Sequence, residues 1–87
     1  MGELNEDMGW DEAILELVFN QMSDNEIIKA TALVIYDKKY KSNKFAVTVK
    51  NICEYYADRK KISQKQRNVL ENCLRYNQKL WRYHVLV

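Results

Sequence analysis

Apolar positions recur along this chain at spacings of three and four residues, the period that puts them on one face of an α-helix. In the first segment Trp10, Ile14, Leu17, Val18 and Gln21 or Met22 fall on one side, with Asp11, Glu12 and Glu16 opposite. From Ile27 to Tyr36 the pattern is apolar nearly all round, which suits the most buried helix of a bundle. Phe45, Val49, Ile52, Cys53 and Tyr56 form a third stripe, and Val69, Leu70, Cys73, Leu74 and Trp81 a fourth.

Backbone punctuation agrees with this pattern. The only glycines are Gly2 and Gly9 and there is no proline, so nothing after Gly9 breaks a helix through backbone chemistry. Three serines, Ser23, Ser42 and Ser63, each stand just before an apolar-periodic stretch. There a hydroxyl can accept from the free amides of a first turn. Glu26 follows Ser23 by three residues and Gln66 follows Ser63 by three, the spacing of a capping box. The pattern predicts an all-α fold, a compact four-helix domain with helices near 10–22, 24–38, 43–58 and 64–81.

One rival is α+β, with a hairpin over 31–49. Thr31 to Tyr36 is rich in β-branched and aromatic residues, and Phe45 to Val49 alternates with period two. The intervening loop has no Asn-Gly or Asp-Gly turn, however, and the stripe from Phe45 to Tyr56 outruns a strand. The bundle is the better reading.

Eighty-seven residues make one domain over 1–87. A chain this long buries roughly 60–65% of its unfolded surface, enough for one modest core and little for an enclosed catalytic cavity. No apolar run reaches the roughly 18 residues that cross a bilayer. Residues 1–9 read as a flexible acidic N-terminus, with the wrong charge for a secretory or transit signal, so a cytoplasmic location is expected. The apolar tail 83–87 lies beyond the predicted fourth helix. It must dock on this domain or on a second copy, which allows a homodimer. Cys53 and Cys73 read as buried reduced thiols, with a single bridge or redox switch as the alternative.

The net charge of +2 conceals a division. Residues 1–28 carry eight acids and no Lys or Arg, whereas residues 29–87 carry fourteen bases against four acids. The domain therefore has either two electrostatic faces or charges that satisfy one another internally.

The search for catalytic chemistry points away from an enzyme. His84 has no Ser or Cys at a motif spacing, and there is no phosphate loop, nucleophile elbow or H-E-x-x-H. Cys53, Cys73 and His84 lack the paired spacing of zinc ligands, so no metal and no cofactor are expected. Glu12 and Glu16 share a helix face without a base nearby and read as a solvated surface.

The turn into the last predicted helix is different. Arg59, Lys60, Lys61, Lys65 and Arg67 crowd a helix N-terminus, where the macrodipole is already positive and acids are preferred. A chain that caps its other helices correctly breaks a local rule here, and such breaks tend to mark function. The cluster reads as an anion site, with phosphate the commonest such anion, and Gln64, Gln66 and Asn68 add amides able to bond sugars or base edges. Lys38, Lys39, Lys41 and Lys44 form a second, looser cluster in the preceding loop. Tyr76, Trp81 and Tyr83, interleaved with Arg75, Lys79 and Arg82, are either core aromatics or a stacking platform for unpaired bases.

The stretch YYADRKKISQKQRNVLENCL, within residues 45–74, resembles helix–turn–helix segments of small phage and mobile-element proteins. In those a tyrosine-bearing helix and a short basic turn precede Ser/Thr-x-Lys-Gln. The glycine usual in that turn is absent here. The resemblance implies the company of replication accessories, DNA-associated factors and counter-defence inhibitors of the anti-CRISPR type, and carries over no catalytic residue.

The resulting expectation is a non-catalytic binding protein that engages nucleic acid or a nucleoprotein complex through Arg59, Lys60, Lys61, Gln64, Lys65 and Arg67. The alternative is a protein–protein module in which Asp11, Glu12 and Glu16 imitate nucleic-acid charge against a basic partner. No membrane is expected to be involved.

Overall fold

The computed structural model describes residues 9–37, 40 and 44–85, and among these every regular element is a helix. In chain order they are α1 (Glu12–Gln21), α2 (Asp24–Ile35), α3 (Lys44–Arg59), α4 (Gln64–Tyr76) and α5 (Gln78–Val85). The all-α class holds, but the described residues form five helices where four are predicted. No hairpin forms over the described part of 31–49, because residues 31–35 close α2 and 44–49 open α3. Residues 1–8, 38–39, 41–43 and 86–87 lie outside the described residues. So, therefore, do the Ser42 cap, most of the loop lysine cluster, nearly all of the acidic N-terminus and the end of the apolar tail. The rest of that tail, residues 83–85, belongs to α5.

The extra helix comes from Asn77. Its side-chain Nδ2 donates to the Cys73 carbonyl at 2.7 Å, the group its own backbone amide would reach in a continuous helix. That amide turns to the Leu74 carbonyl instead, at 3.2 Å. The indole of Trp81 also donates to Leu74 O, at 2.8 Å. The end of α4 is thus satisfied by side chains, and α5 sets off in a new direction.

Both predicted capping boxes are present. Ser23 Oγ accepts from the Glu26 amide at 3.2 Å, and Glu26 Oε1 accepts from the Ser23 amide at 2.8 Å. At α4 the same exchange joins Ser63 and Gln66, at 3.1 and 2.9 Å. Asp11 caps α1 by accepting from the Ile14 amide at 3.0 Å.

As its all-round apolar pattern predicts, α2 lies at the centre and packs against α3, α4 and α5. Ile27, Ala30 and Val34 are buried there. Buried Thr31 satisfies its hydroxyl by donating to Ile27 O at 2.7 Å. The core is completed by Leu15, Phe19, Val49, Leu70, Cys73, Leu74 and Trp81. Trp81 meets Trp10 edge-on, with ring centroids 5.7 Å apart, and lies against Phe19 at 6.1 Å. Both cysteines are free, and burial pushes the Cys73 thiol up to about 11 and raises Cys53 as well, so neither is primed as a thiolate. Among the described residues no helix is long and apolar enough to cross a membrane.

The face of α1 differs from the predicted one. Two apolar stripes overlap on this helix, and the one that turns inward is Leu15, Phe19 and Met22, with Val18 and Trp10 at its edge. Ile14 and Leu17, expected inside, are 43% and 62% exposed. The inward stripe carries Phe19 and seats it against Trp81.

The chain entering α1 is held by the side-chain amide of Gln78, which accepts from the Trp10 amide at 2.7 Å and donates to Trp10 O at 3.1 Å. Gly9 makes this clamp possible. Its φ is +74°, and a Cβ there would stand 2.6 Å from Gln78 Oε1 and 2.9 Å from Arg82 Nη1. Gly9→Ala should therefore destabilise the fold by about 1–3 kcal/mol. Urea unfolding should show a lower midpoint, and an unchanged midpoint would mean the clamp contributes nothing.

Candidate functional site

The turn between α3 and α4 is built by two opposed devices. α3 ends in a left-handed cap: Lys60 has φ +61° and its amide donates to Tyr56 O at 2.7 Å. Three residues later Ser63 opens α4 through its capping box. Between them Ile62 packs against the core, which fixes the turn and leaves Lys60 and Lys61 on the outside. Lys65, in the first turn of α4, is exposed too. Gln64 is exposed and donates to Asn68 Oδ1 at 2.8 Å.

The structure divides the six residues expected to form this site. Lys60, Lys61 and Lys65 form no ion pair with the described residues. Arg59 lies 3.4 Å from Asp58 and over the ring of Tyr55 at 5.5 Å, an exposed arrangement of small energetic weight. Arg67 leaves the cluster altogether, which corrects the expectation of five cations facing one anion. Its guanidinium turns into the domain, with 15% of the side chain exposed. There it donates to Asp24 Oδ1 at 2.7 Å, Glu71 Oε2 at 2.8 Å, and the carbonyls of Phe19 and Met22 at 2.6 and 2.8 Å. Burial opposes the charge, but the carboxylates of Asp24 and Glu71 outweigh it and hold the pKa above the ordinary arginine value. Gln66 is likewise taken up by its cap.

The acidic alternative is also reduced. Asp11 serves as the α1 cap, and Glu12 pairs with Arg75 at 2.8 Å. Of the three carboxylates only Glu16 has neither an ion pair nor a cap hydrogen bond with the described residues. A groove between α1 and α4 is lined by both signs together, Glu12, Glu16 and Glu71 with Arg67 and Arg75, so it presents no run of negative charge.

The aromatics separate in the same way. Trp81 is core. Tyr83 is half exposed and receives a hydrogen bond from Arg82 at 3.1 Å, while the buried Arg82 guanidinium also lies 5.8 Å from the ring of Trp10. Tyr76 is 81% exposed, the most open large apolar side chain described. Its outward position was not legible from periodicity, because the helix carrying it was expected to continue to residue 81. Among the described residues no three His, Cys, Asp or Glu side chains converge as metal ligands.

No family model matches this chain, and no curated protein or solved structure matches it either. The likeness of residues 45–74 to helix–turn–helix segments stands on those residues alone.

Two variants test this division of labour. Arg67→Ala should destabilise the protein by about 2–4 kcal/mol, because it strands two carbonyls and two carboxylates, and Arg67→Lys should recover only part of the loss. Equal melting temperatures for wild type and Arg67→Ala would disprove the structural role. Lys60→Gly should instead raise stability by up to about 1 kcal/mol, since glycine relieves the left-handed backbone. A fall in stability would show that the Lys60 side chain supports the fold.

Proposed function

We propose that this protein is a non-catalytic binder of an anionic partner, nucleic acid or a nucleoprotein complex, and that Lys60, Lys61 and Lys65 are the cations that meet it, with Arg59 and Gln64 beside them. The observation that carries this reading is Lys60 itself. It occupies a left-handed position where glycine would be relaxed, and its charge is exposed and unpaired with the described residues. Lys65 adds a second local cost, a cation at the positive end of a helix. Two adjacent costs in a turn fixed by Ile62 and Ser63 favour a role for the charges themselves. An anti-defence inhibitor of the anti-CRISPR type is one concrete form of such a binder, and it is supported by the resemblance of residues 45–74 alone.

A second reading has its own observation in its favour. The outward face of α1 carries Ile14 and Leu17, both exposed, next to Glu16. That combination suits a protein partner with basic and apolar residues better than it suits imitation of a phosphate backbone.

The triple variant Lys60→Glu, Lys61→Glu, Lys65→Glu tests the first reading. Binding to mixed-sequence nucleic acid should be lost, and the wild-type dependence of log affinity on log salt should be steeper than that of single-lysine variants by about 0.7–0.9. Thermal stability should stay level or rise, because carboxylates now face the α4 dipole. Undiminished binding by the triple variant overturns the assignment. Capture of a protein partner from nuclease-treated lysate, lost on Leu17→Ala and unaffected by the triple variant, would favour the α1 reading instead.

A further inference from the structure

We infer that the outward face of α4 is a track for single-stranded nucleic acid, entered at Lys60, Lys61 and Lys65 and ending where a base stacks on Tyr76; this rests on the basic-turn reading above. At 100° per residue, Lys65, Asn72 and Tyr76 fall within about 40° of one another round the helix, with Asn68 alongside. All four are exposed. Eleven residues separate Lys65 from Tyr76, which at 1.5 Å each is about 16 Å, a reach of a few nucleotides.

The chemistry along this line is that of a single-strand track. Lysines stand at one end to meet phosphates. In the middle, Asn68 Oδ1 already accepts from Gln64, and Asn72 Oδ1 accepts from the guanidinium of Arg75. Both amides are thereby oriented, and their N–H groups are what they offer a ligand. At the far end stands Tyr76, an open aromatic ring.

Of the carboxylates that line the groove beside Gln64 and Asn68, those of Glu12, Asp24 and Glu71 are paired with Arg75 and Arg67, which leaves Glu16, on α1, as the one without an ion pair among the described residues. From Arg59 to the end of the chain there are eight cations and one carboxylate, Glu71, and Arg67 holds that carboxylate at 2.8 Å. An aromatic ring reaches the face of a base only where the base is unpaired, which selects a single strand over a duplex.

Fluorescence anisotropy with a labelled oligothymidylate, an oligouridylate and a duplex of the same length tests the inference. The full chain should bind the single strands more tightly than the duplex. Tyr76→Ala should weaken single-strand binding by about 5- to 150-fold, leave duplex binding and the melting temperature unchanged, and be rescued to within about twofold by Tyr76→Phe. If Tyr76→Ala binds as wild type while the triple lysine variant does not, the stacking track is wrong and the basic turn stands. Should the triple lysine variant also bind normally, both fail together. Duplex bound as tightly as the single strands overturns the track as well.

Discussion

The guanidinium of Arg67 is the point at which α1, α2 and α4 are joined. It takes two carbonyls at the end of α1, the carboxylate of Asp24 at the start of α2 and that of Glu71 one turn along its own helix. The last turn of α1 has no basic residue of its own, so its negative dipole end is answered from another helix. Only a planar fork with several fixed donors can serve three elements from one position. With that junction set, α1 is rotated so that Phe19 meets Trp81, and Ile14 and Leu17 are left outside.

This junction also explains where much of the chain's charge asymmetry goes. The acidic first third and the basic remainder meet across the α1–α4 groove, where Arg67 and Arg75 are matched by Asp24, Glu71 and Glu12. The arginines are spent on the fold because a guanidinium makes several directed bonds and retains its charge when partly buried. The three lysines of the α3–α4 turn remain outside, in keeping with an ammonium's stronger hydration. Arg67 and Arg75 thus hold the domain together, whereas Arg59 faces outward with the three lysines.

The features legible in the sequence were those governed by local chemistry. Ser23 with Glu26, and Ser63 with Gln66, carry their caps in a four-residue spacing, and the nearly all-round apolar pattern of α2 pointed to the centre. What escaped was decided at long range. Nothing near residue 67 in the sequence signals that its side chain crosses to Phe19, Met22 and Asp24, although Glu71 four residues on hinted at a partner. The choice between two overlapping stripes on α1 was settled by Trp81, more than sixty residues away. Asn77 is a local signal of a different kind: an amide side chain that can replace its own backbone donor ends a helix without glycine or proline. For the candidate site, Lys60, Lys61 and Lys65 were legible as residues, but their isolation from Arg67 was not.

The removal of Arg67 sharpens the case for the remaining lysines. Five cations at a helix start could be dismissed as a basic helix whose charges are neutralised elsewhere in the domain, and for Arg67 that is what happens. For Lys60 and Lys65 it does not. One is held in a strained backbone conformation and the other sits against the helix dipole, and the described residues supply neither with a carboxylate. The turn that carries them is fixed at both ends, by the α3 cap and the Ser63 box, and pinned in the middle by Ile62. A rigid mount lowers the ordering entropy that a ligand must overcome, so the anion binding proposed for these lysines would lose little to immobilising the turn.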